Sequence, residues 1–329
     1  MKQTRARSWQ WHLVLCSLLV FSAISLAQGD RSSQTSSSQP RASSSRNETP
    51  GLRVNVRLVN VFTTVTDSQG APVANLGRDD FRVLEDGVSQ TISVFGRESE
   101  LPLSIALAID TSGSTRRDMP LEITSAKKFV RSILRPVDRL SLFQVSEDVD
   151  QTVSFTADMR QIQHGIDSLT PGSGTSLYDA IFLCSEALLN HEGRRVLVLI
   201  TDGGDTTSKA NYSSALRRAQ QAEAIVYSII VVPVEADAGR NIGGEHALIQ
   251  ISKDTGGKYY YAKSIAELDS AFRQISEELR TQYLIAYYPN RQVSESPFRR
   301  IQIEVVKDDP VIKTYQVRHR AGYYTAPAK

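Results

Sequence analysis

The sequence predicts an α/β protein with a doubly wound, mostly parallel open sheet, joined to a small β-sandwich formed by N- and C-terminal strands. Residues 103–109 and 196–200 are nearly continuous apolar runs, which is typical of strands buried on both faces of a parallel sheet. Segments with helical spacing, such as residues 119–134 and 177–189, alternate with these strands. Stretches with period-two alternation precede and follow this region, and they predict β structure at both ends of the chain.

The N-terminal residues have the layout of a secretory signal peptide. Three Lys or Arg residues open the chain, residues 11–24 are mostly apolar, and Ser25-Leu26-Ala27 follows them. We expect cleavage after Ala27 and a secreted or periplasmic location. An uncleaved membrane anchor is the alternative, although the apolar run is shorter than the roughly 20 residues that span a bilayer.

Composition excludes several classes of partner. The chain has 329 residues, of which 40% are hydrophobic and 22% charged, and its net charge is +2. Loss of the signal peptide would remove three basic residues and no acidic one, leaving a net charge of about −1. We therefore expect no nucleic-acid partner and no stable membrane insertion after cleavage. Cys16 would leave with the signal peptide, and Cys184 is predicted to be a buried apolar residue without a partner.

The β segments at the two ends are each short for an independent core. In the first, strands are predicted near residues 54–58, 61–65, 81–84 and 91–95, with a tight turn at Glu85-Asp86-Gly87. We hypothesise that both segments pair in one sandwich, with the α/β domain inserted between them. The predicted organisation is a signal peptide (1–27), a disordered Ser-rich linker (28–50), a β module (51–98), an α/β domain (99–281) and a C-terminal β segment (282–329).

Three polar segments fall where an open α/β sheet places its binding site, at the carboxyl ends of strands or at a helix entry. They contain Asp110, Ser112 and Ser114, then Thr175, and then Asp202. Alone, each is explained by a helix cap or a turn, so their combination and order carry the prediction. Their donors are carboxylate and hydroxyl oxygens, which select Mg²⁺, with Mn²⁺ or Ca²⁺ as alternatives, over zinc or copper.

The same residues resemble the metal-ion-dependent adhesion site of von Willebrand factor A domains, which has the pattern D-x-S-x-S, then Thr, then Asp. Asp110, Ser112 and Ser114 match the first element, Thr175 in GSGTSLYDAI matches the second, and Asp202 in LITDGGD matches the third. The resemblance spans about residues 101–280 and implies a Rossmann-like fold. It also implies a divalent cation whose hydroxyl ligands bind directly, whose aspartates often act through water, and whose shell is completed by a partner's Asp or Glu.

Sequences on both sides of this domain extend the resemblance. VTDSQGAPVANL and DFRVLEDG precede the domain, and YLIAYYP and RAGYY follow it. They resemble the VWFA-related acidobacterial-type exported proteins, a bacterial family of which little is known functionally.

An enzyme is the main alternative class, and the sequence offers no support for it. There is no G-x-S-x-G elbow, His191-Glu192 lacks the second His of a zinc-protease helix, and residues 172–176 lack the Lys of a phosphate loop. We therefore expect a non-enzymatic, exported adhesion or scaffold module that captures an acidic residue of a protein partner through its cation. The alternative is a non-adhesive structural or accessory protein in which the metal only stabilises the fold.

Overall fold

The computed structural model describes residues 58–97, 101–113, 119–232, 241–290, 297–306 and 314–325. The predicted signal peptide, the Ser-rich linker and Ser114 lie outside these residues. No helix among the described residues is long and apolar enough to cross a membrane.

The described strands and helices follow the predicted order along the chain. The strands are β1 (Val59–Thr66), β2 (Phe81–Glu85), β3 (Val88–Gln90), β4 (Ile92–Arg97), β5 (Leu103–Asp110), β6 (Arg139–Val145), β7 (Val149–Thr156), β8 (Arg194–Thr201), β9 (Ile225–Val231), β10 (Tyr259–Ala262), β11 (Tyr283–Tyr287), β12 (Phe298–Val305), β13 (Gln316–Arg318) and β14 (Gly322–Tyr324). The helices are α1 (Met119–Ile133), α2 (Met159–Asp167), α3 (Leu177–Leu188), α4 (Tyr212–Gln221), α5 (Ile242–Asp254) and α6 (Ile265–Thr281), with a 3₁₀ turn at Arg78–Asp80.

The central sheet has the strand order β10-β9-β8-β5-β6-β7. Its neighbouring strands run parallel, except that β7 pairs antiparallel with β6 at the edge. From β5 the chain moves outward to β6 on one side, and from β8 it moves outward to β9 on the other. The order therefore reverses between β5 and β8, which is where such sheets bind ligands. The predicted doubly wound, mostly parallel sheet is confirmed.

The two faces of this sheet are covered by different helices, because side chains alternate along each strand. On β5, Ile105 and Leu107 pack with α1, α2 and α6, whereas Ala106 and Ala108 pack with α3, α4 and α5. All four residues are fully buried. Burial on both faces explains why the strand reads as a continuous apolar run.

The N- and C-terminal strands form two four-stranded sheets, β13-β1-β11-β4 and β14-β12-β2-β3. Each sheet contains strands from both ends of the chain, so the hypothesis of one shared sandwich is confirmed. Its core is a single cluster that draws on both ends: Val59, Val61, Val65, Leu76, Phe81, Val83, Tyr283, Ile285, Tyr287, Ile301 and Ile303. The exact domain limits at residues 98 and 282 stay predictions.

Two local features differ from the sequence-based expectation. The single return strand predicted at residues 91–95 is wrong, because β3 pairs with β2 while β4 pairs with β11 in the other sheet. Asp86 (φ 48°) and Gly87 (φ 78°) make the hairpin so tight that β3 is complete before residue 91. Helix α2 was not predicted, although the Asp158 carboxylate accepts hydrogen bonds from the backbone N–H of Arg160 and Gln161 as a regular N-cap.

Removal of residues 282–329 is expected to unfold the N-terminal β segment. The truncation deletes β11 and β13, between which β1 lies, and also β12, the partner of β2. A lone pair of short strands cannot bury enough apolar surface to remain folded. Limited proteolysis should therefore cut within residues 58–97 of the truncated protein but not of the intact chain. Protection of this segment after truncation would contradict the shared core.

The sandwich should weaken in mild acid because of His319. Its Nε2 accepts the Ile303 N–H at 3.1 Å, so the ring is neutral in the folded state. Burial and the charge of Arg320 lower its pKa below the ordinary 6.5, against a hydrogen bond to the Arg320 carbonyl that raises it. The unfolded chain therefore binds this proton more readily than the folded protein does. The contribution of His319 to stability is fully present above about pH 6.5 and is lost as the pH drops through the folded-state pKa.

Urea unfolding of the wild type and of His319→Gln, between about pH 8 and about pH 5, measures this dependence. Glutamine has an oxygen that can accept the Ile303 N–H but does not titrate in this range. The wild type should lose more stability on acidification than the variant. Equal losses in both proteins would show that His319 makes no contribution.

Candidate metal centre

The two predicted aspartates lie at the same edge of the sheet because they end or follow adjacent parallel strands. Asp110 is the last residue of β5, and Asp202 follows the last residue of β8. Ile109 pairs with Ile200 in this register, so the two strands end side by side. Both carboxylates therefore lie at the edge of the sheet where the parallel strands end, as the sequence predicted.

Asp110 is the buried anchor of the site, with no exposed surface. Its carboxylate accepts the Ser112 N–H at 2.9 Å and the Thr201 hydroxyl at 2.7 Å. Burial raises its pKa to about 6, partly offset by the hydrogen bonds from Thr201 and Ser112, and the charge of Asp202 raises it further. The two carboxylates therefore concentrate negative charge in a poorly solvated place, a setting that a cation would relieve.

The Asp202 loop turns sharply away from β8. Its carboxylate accepts the Gly204 N–H at 3.0 Å, and the Gly203 N–H donates to the Thr201 hydroxyl at 3.1 Å. Gly203 has φ +86°, a conformation that side-chain-bearing residues rarely adopt. The N-terminal turn of α5 packs closely against this loop. Only a glycine fits at position 244, because a Cβ atom there would lie 1.7 Å from the Gly203 carbonyl oxygen.

Thr175 reaches the site on a loop that is hydrogen-bonded to both of the others. Its N–H donates to the Thr206 hydroxyl at 2.9 Å, and its carbonyl accepts the Thr206 N–H at 2.8 Å. On the other side, the Gly172 N–H donates to the Thr111 carbonyl at 2.7 Å. Residues far apart in sequence are thus held in one cluster of loops.

The structure brings Asp110, Ser112, Thr175 and Asp202 to this cluster, while Ser114 lies outside the described residues. Within the described ranges no three His, Cys, Asp or Glu side chains converge as a metal cluster. The donor set in these loops is instead carboxylate and hydroxyl, which fits a hard cation such as Mg²⁺ and not a soft one.

Comparison with known families finds a match within the α/β domain. Residues 105–205 match the von Willebrand factor type A domain. The predicted resemblance of this region is therefore confirmed, and the von Willebrand A-type domain indicates a protein-interaction or adhesion module. The wider resemblance to acidobacterial-type exported proteins stays a prediction.

Three of the solved structures to which this chain is similar share less than 20% of its sequence. BatB from Bacteroides thetaiotaomicron is 19% identical, with 54% of this chain and 99% of that chain covered and a TM-score of 0.44. The vWF domain of the type V pili tip protein Mfa5 from Porphyromonas gingivalis is 13% identical, covering 54% and 95%, with a TM-score of 0.45. Proximal thread matrix protein 1 from the mussel byssus is 15% identical, covering 59% and 49%, with a TM-score of 0.48. A search of curated proteins finds no match.

Glu147 lies within the matched residues and was missed by the sequence-based prediction. Its carboxylate accepts the N–H groups of Ser173 at 2.8 Å and Gly174 at 3.3 Å, directly before Thr175. These backbone hydrogen bonds, that of Ser173 first, lower its pKa to about 2, so it stays ionised at any physiological pH. Glu147 lies just beyond the carboxyl end of β6, so its position after a buried strand was a signal that could have identified it.

Asp205 is a second residue that supports the site. Its carboxylate accepts the Leu177 N–H at 2.9 Å and the Ser208 hydroxyl at 2.5 Å. It therefore takes the capping position at the N-terminus of α3, where a negative charge is favourable. The Ser176 hydroxyl makes no cap and donates to the Glu147 carbonyl instead. These contacts give Asp205 a supporting role beside the Thr175 loop.

Glu147→Ala is expected to weaken Mg²⁺ binding about tenfold, because groups that orient metal ligands typically contribute about 10–100-fold to affinity. The loss would come from a loosened loop at residues 173–174 and hence a less fixed Thr175. Isothermal titration with Mg²⁺ measures it. Asp150→Asn is the matched control, since it removes a nearby exposed charge that makes no bond to this loop. An equal loss of Mg²⁺ affinity in the two variants would show that Glu147 acts only through its negative charge and not by holding the loop.

Proposed function

We propose that this protein is an exported binding module that captures an acidic side chain of a partner protein through a divalent cation. Asp110, Ser112, Ser114, Thr175 and Asp202 would hold the cation, Mg²⁺ first and Mn²⁺ or Ca²⁺ as alternatives. The observation that carries the proposal is the buried Asp110 carboxylate, adjacent to Asp202 and held by Ser112 and Thr201. Two neighbouring carboxylates, one of them fully buried, favour a bound cation because it would balance their negative charge.

A bound cation would supply affinity for one more carboxylate, because the neutral hydroxyl ligands would leave much of the cation's positive charge unneutralised. The chain's own residues would orient the site. Thr201 and Ser112 fix the Asp110 carboxylate, Gly204 fixes that of Asp202, and Glu147 fixes the loop before Thr175. This rigidity favours a ligand presented from outside over a rearrangement of the loops.

We propose binding and not catalysis for this site. Two histidines of the described chain have structural surroundings: the His191 ring packs on Phe155 at 3.8 Å between centroids, and His319 accepts a backbone N–H. Cys184 is fully buried and burial raises its pKa, which disfavours a reactive thiolate. These observations support a module whose chemistry is confined to metal-dependent binding.

A capture experiment tests the proposal. The mature protein is immobilised and incubated with a lysate of its native host in Mg²⁺ or in EDTA, with Asp110→Ala as the control variant. A partner retained only with Mg²⁺ and only by the wild type, and lost when one of its own Asp or Glu residues is changed to Asn or Gln, supports capture of a carboxylate. Chelation that unfolds the protein without releasing any ligand would support the structural alternative instead.

A further inference from the structure

We propose that a groove beside the metal centre binds a segment of the partner that carries a Lys or Arg and an apolar side chain. This inference rests on the proposed function, since the same partner would present its carboxylate to the metal. The groove, called here the β7–α3 groove, has a volume of about 670 Å³. It lies between the start of β7 and the outer side of α3, and Asp148, Asp150, Asp179, Phe182, Leu183 and Lys209 are among its lining residues.

The groove adjoins the loop that carries Thr175. Glu147 lines it and at the same time holds the backbone of Ser173 and Gly174. Asp179 lines it from the first turn of α3, where its carboxylate accepts the N–H groups of Lys209 and Ala210 at 3.0 and 2.7 Å. A partner seated at the metal centre would therefore extend into the groove within a few residues.

Part of the groove is apolar, which is unusual for the outer side of a surface helix. Helix α3 already buries Leu177, Ile181 and Leu188 in the core of the domain. Leu183 is 41% exposed, and Phe182 is half-buried, with the Arg218 guanidinium 5.0 Å from the centre of its ring. With the partly buried Val149 they give the groove an apolar wall that single exposed residues would not make.

The charges of the groove select the partner's chemistry. Four carboxylates line it (Glu147, Asp148, Asp150 and Asp179), against the single ammonium of Lys209. Asp148 and Asp150 are exposed, and their carboxylates make no hydrogen bond or ion pair within the described residues. Lys and Arg match this surface because their apolar stems cover apolar area while the charged end meets the carboxylates. The same negative field would repel nucleic acid.

The surface therefore distinguishes between partners by two features at once. A carboxylate alone would satisfy the metal centre, and a basic, apolar segment alone would satisfy the groove. A protein segment with an Asp or Glu and, close by, a Lys or Arg next to an apolar residue would satisfy both. Specificity would arise from the groove, and metal dependence from the centre.

A library of random dodecapeptides displayed on phage tests this inference. The full mature protein is immobilised in Mg²⁺, and bound phage are eluted with EDTA. The selection is repeated with Asp148→Asn/Asp150→Asn and with the control Glu192→Gln/Glu277→Gln, which removes two exposed charges elsewhere. Eluted peptides should be enriched in Asp or Glu and also in Lys or Arg beside an apolar residue. With Asp148→Asn/Asp150→Asn the basic enrichment should fall to the level of the unselected library, while the acidic enrichment persists.

The outcomes separate the two proposals. Acidic enrichment without basic enrichment in the wild type would overturn the groove and leave the metal-dependent function standing. Basic enrichment that survives in Asp148→Asn/Asp150→Asn, or that is lost equally in the control variant, would also overturn the groove. Basic enrichment without acidic enrichment, or no peptide released by EDTA, would overturn the proposed metal-dependent function and the inference that rests on it.

Discussion

Replacement of Asp110 by Asn is expected to reduce Mg²⁺ affinity by more than about 100-fold, because changes to groups that merely orient a ligand already cost about 10–100-fold. Asn keeps the shape of the side chain and one oxygen acceptor for the Ser112 N–H or the Thr201 hydroxyl, but it removes the charge. In the wild type, Mg²⁺ at about 100 times its dissociation constant should stabilise the fold by about 2.7 kcal/mol. The variant should show no such gain.

Without Mg²⁺, the same variant should be at least as stable as the wild type. Burial disfavours the charged form of Asp110 and Asp202 adds to this, so an uncharged side chain relieves a cost in the metal-free protein. Thermal unfolding with and without Mg²⁺, together with isothermal titration, measures both effects. A variant that unfolds in EDTA but still gains stability from Mg²⁺ would show that Asp110 has a structural role and that the cation binds elsewhere.

The second large effect is expected at Glu85, which joins the two ends of the chain. Its carboxylate pairs with the Arg299 guanidinium at 2.5 Å and accepts the hydroxyls of Tyr287 at 2.8 Å and Tyr323 at 2.9 Å. Both charged side chains are buried, with 4% and 3% exposed. Glu85→Gln removes the negative charge that Glu85 places against a buried guanidinium, and the free energy of unfolding should fall by about 3–5 kcal/mol.

The sandwich also contains a matched control for this prediction. Arg82 and Glu304 form an ion pair of the same length, 2.5 Å, also between β2 and β12, but their side chains are 56% and 46% exposed. Glu304→Gln should therefore cost less than about 1 kcal/mol. Urea unfolding of both variants measures the difference. Similar costs at Glu85 and Glu304 would mean that burial of the pair does not govern its contribution.

Much of the site followed from the sequence because its signals are local. A strand buried on both faces must be apolar throughout, so the runs that end at Asp110 and before Asp202 were visible as strands. Parallel strands end at a common edge, which was enough to place the two aspartates together. Where two short strands lie close in sequence the signal failed, as at Val88–Gln90, since nothing local reports which sheet a strand joins.

The sequence by itself determined the doubly wound sheet and the chemistry of the loops at its edge. The tertiary structure decided which loops hold one another and how the ends meet. Glu147 anchors a loop 26 residues away, and Glu85 meets Arg299 across 214 residues. Such contacts depend on the order of strands and not on the pattern within any one of them. For that physical reason the candidate metal ligands could be proposed from sequence, while Glu147, which holds the loop before Thr175, and the β7–α3 groove could not.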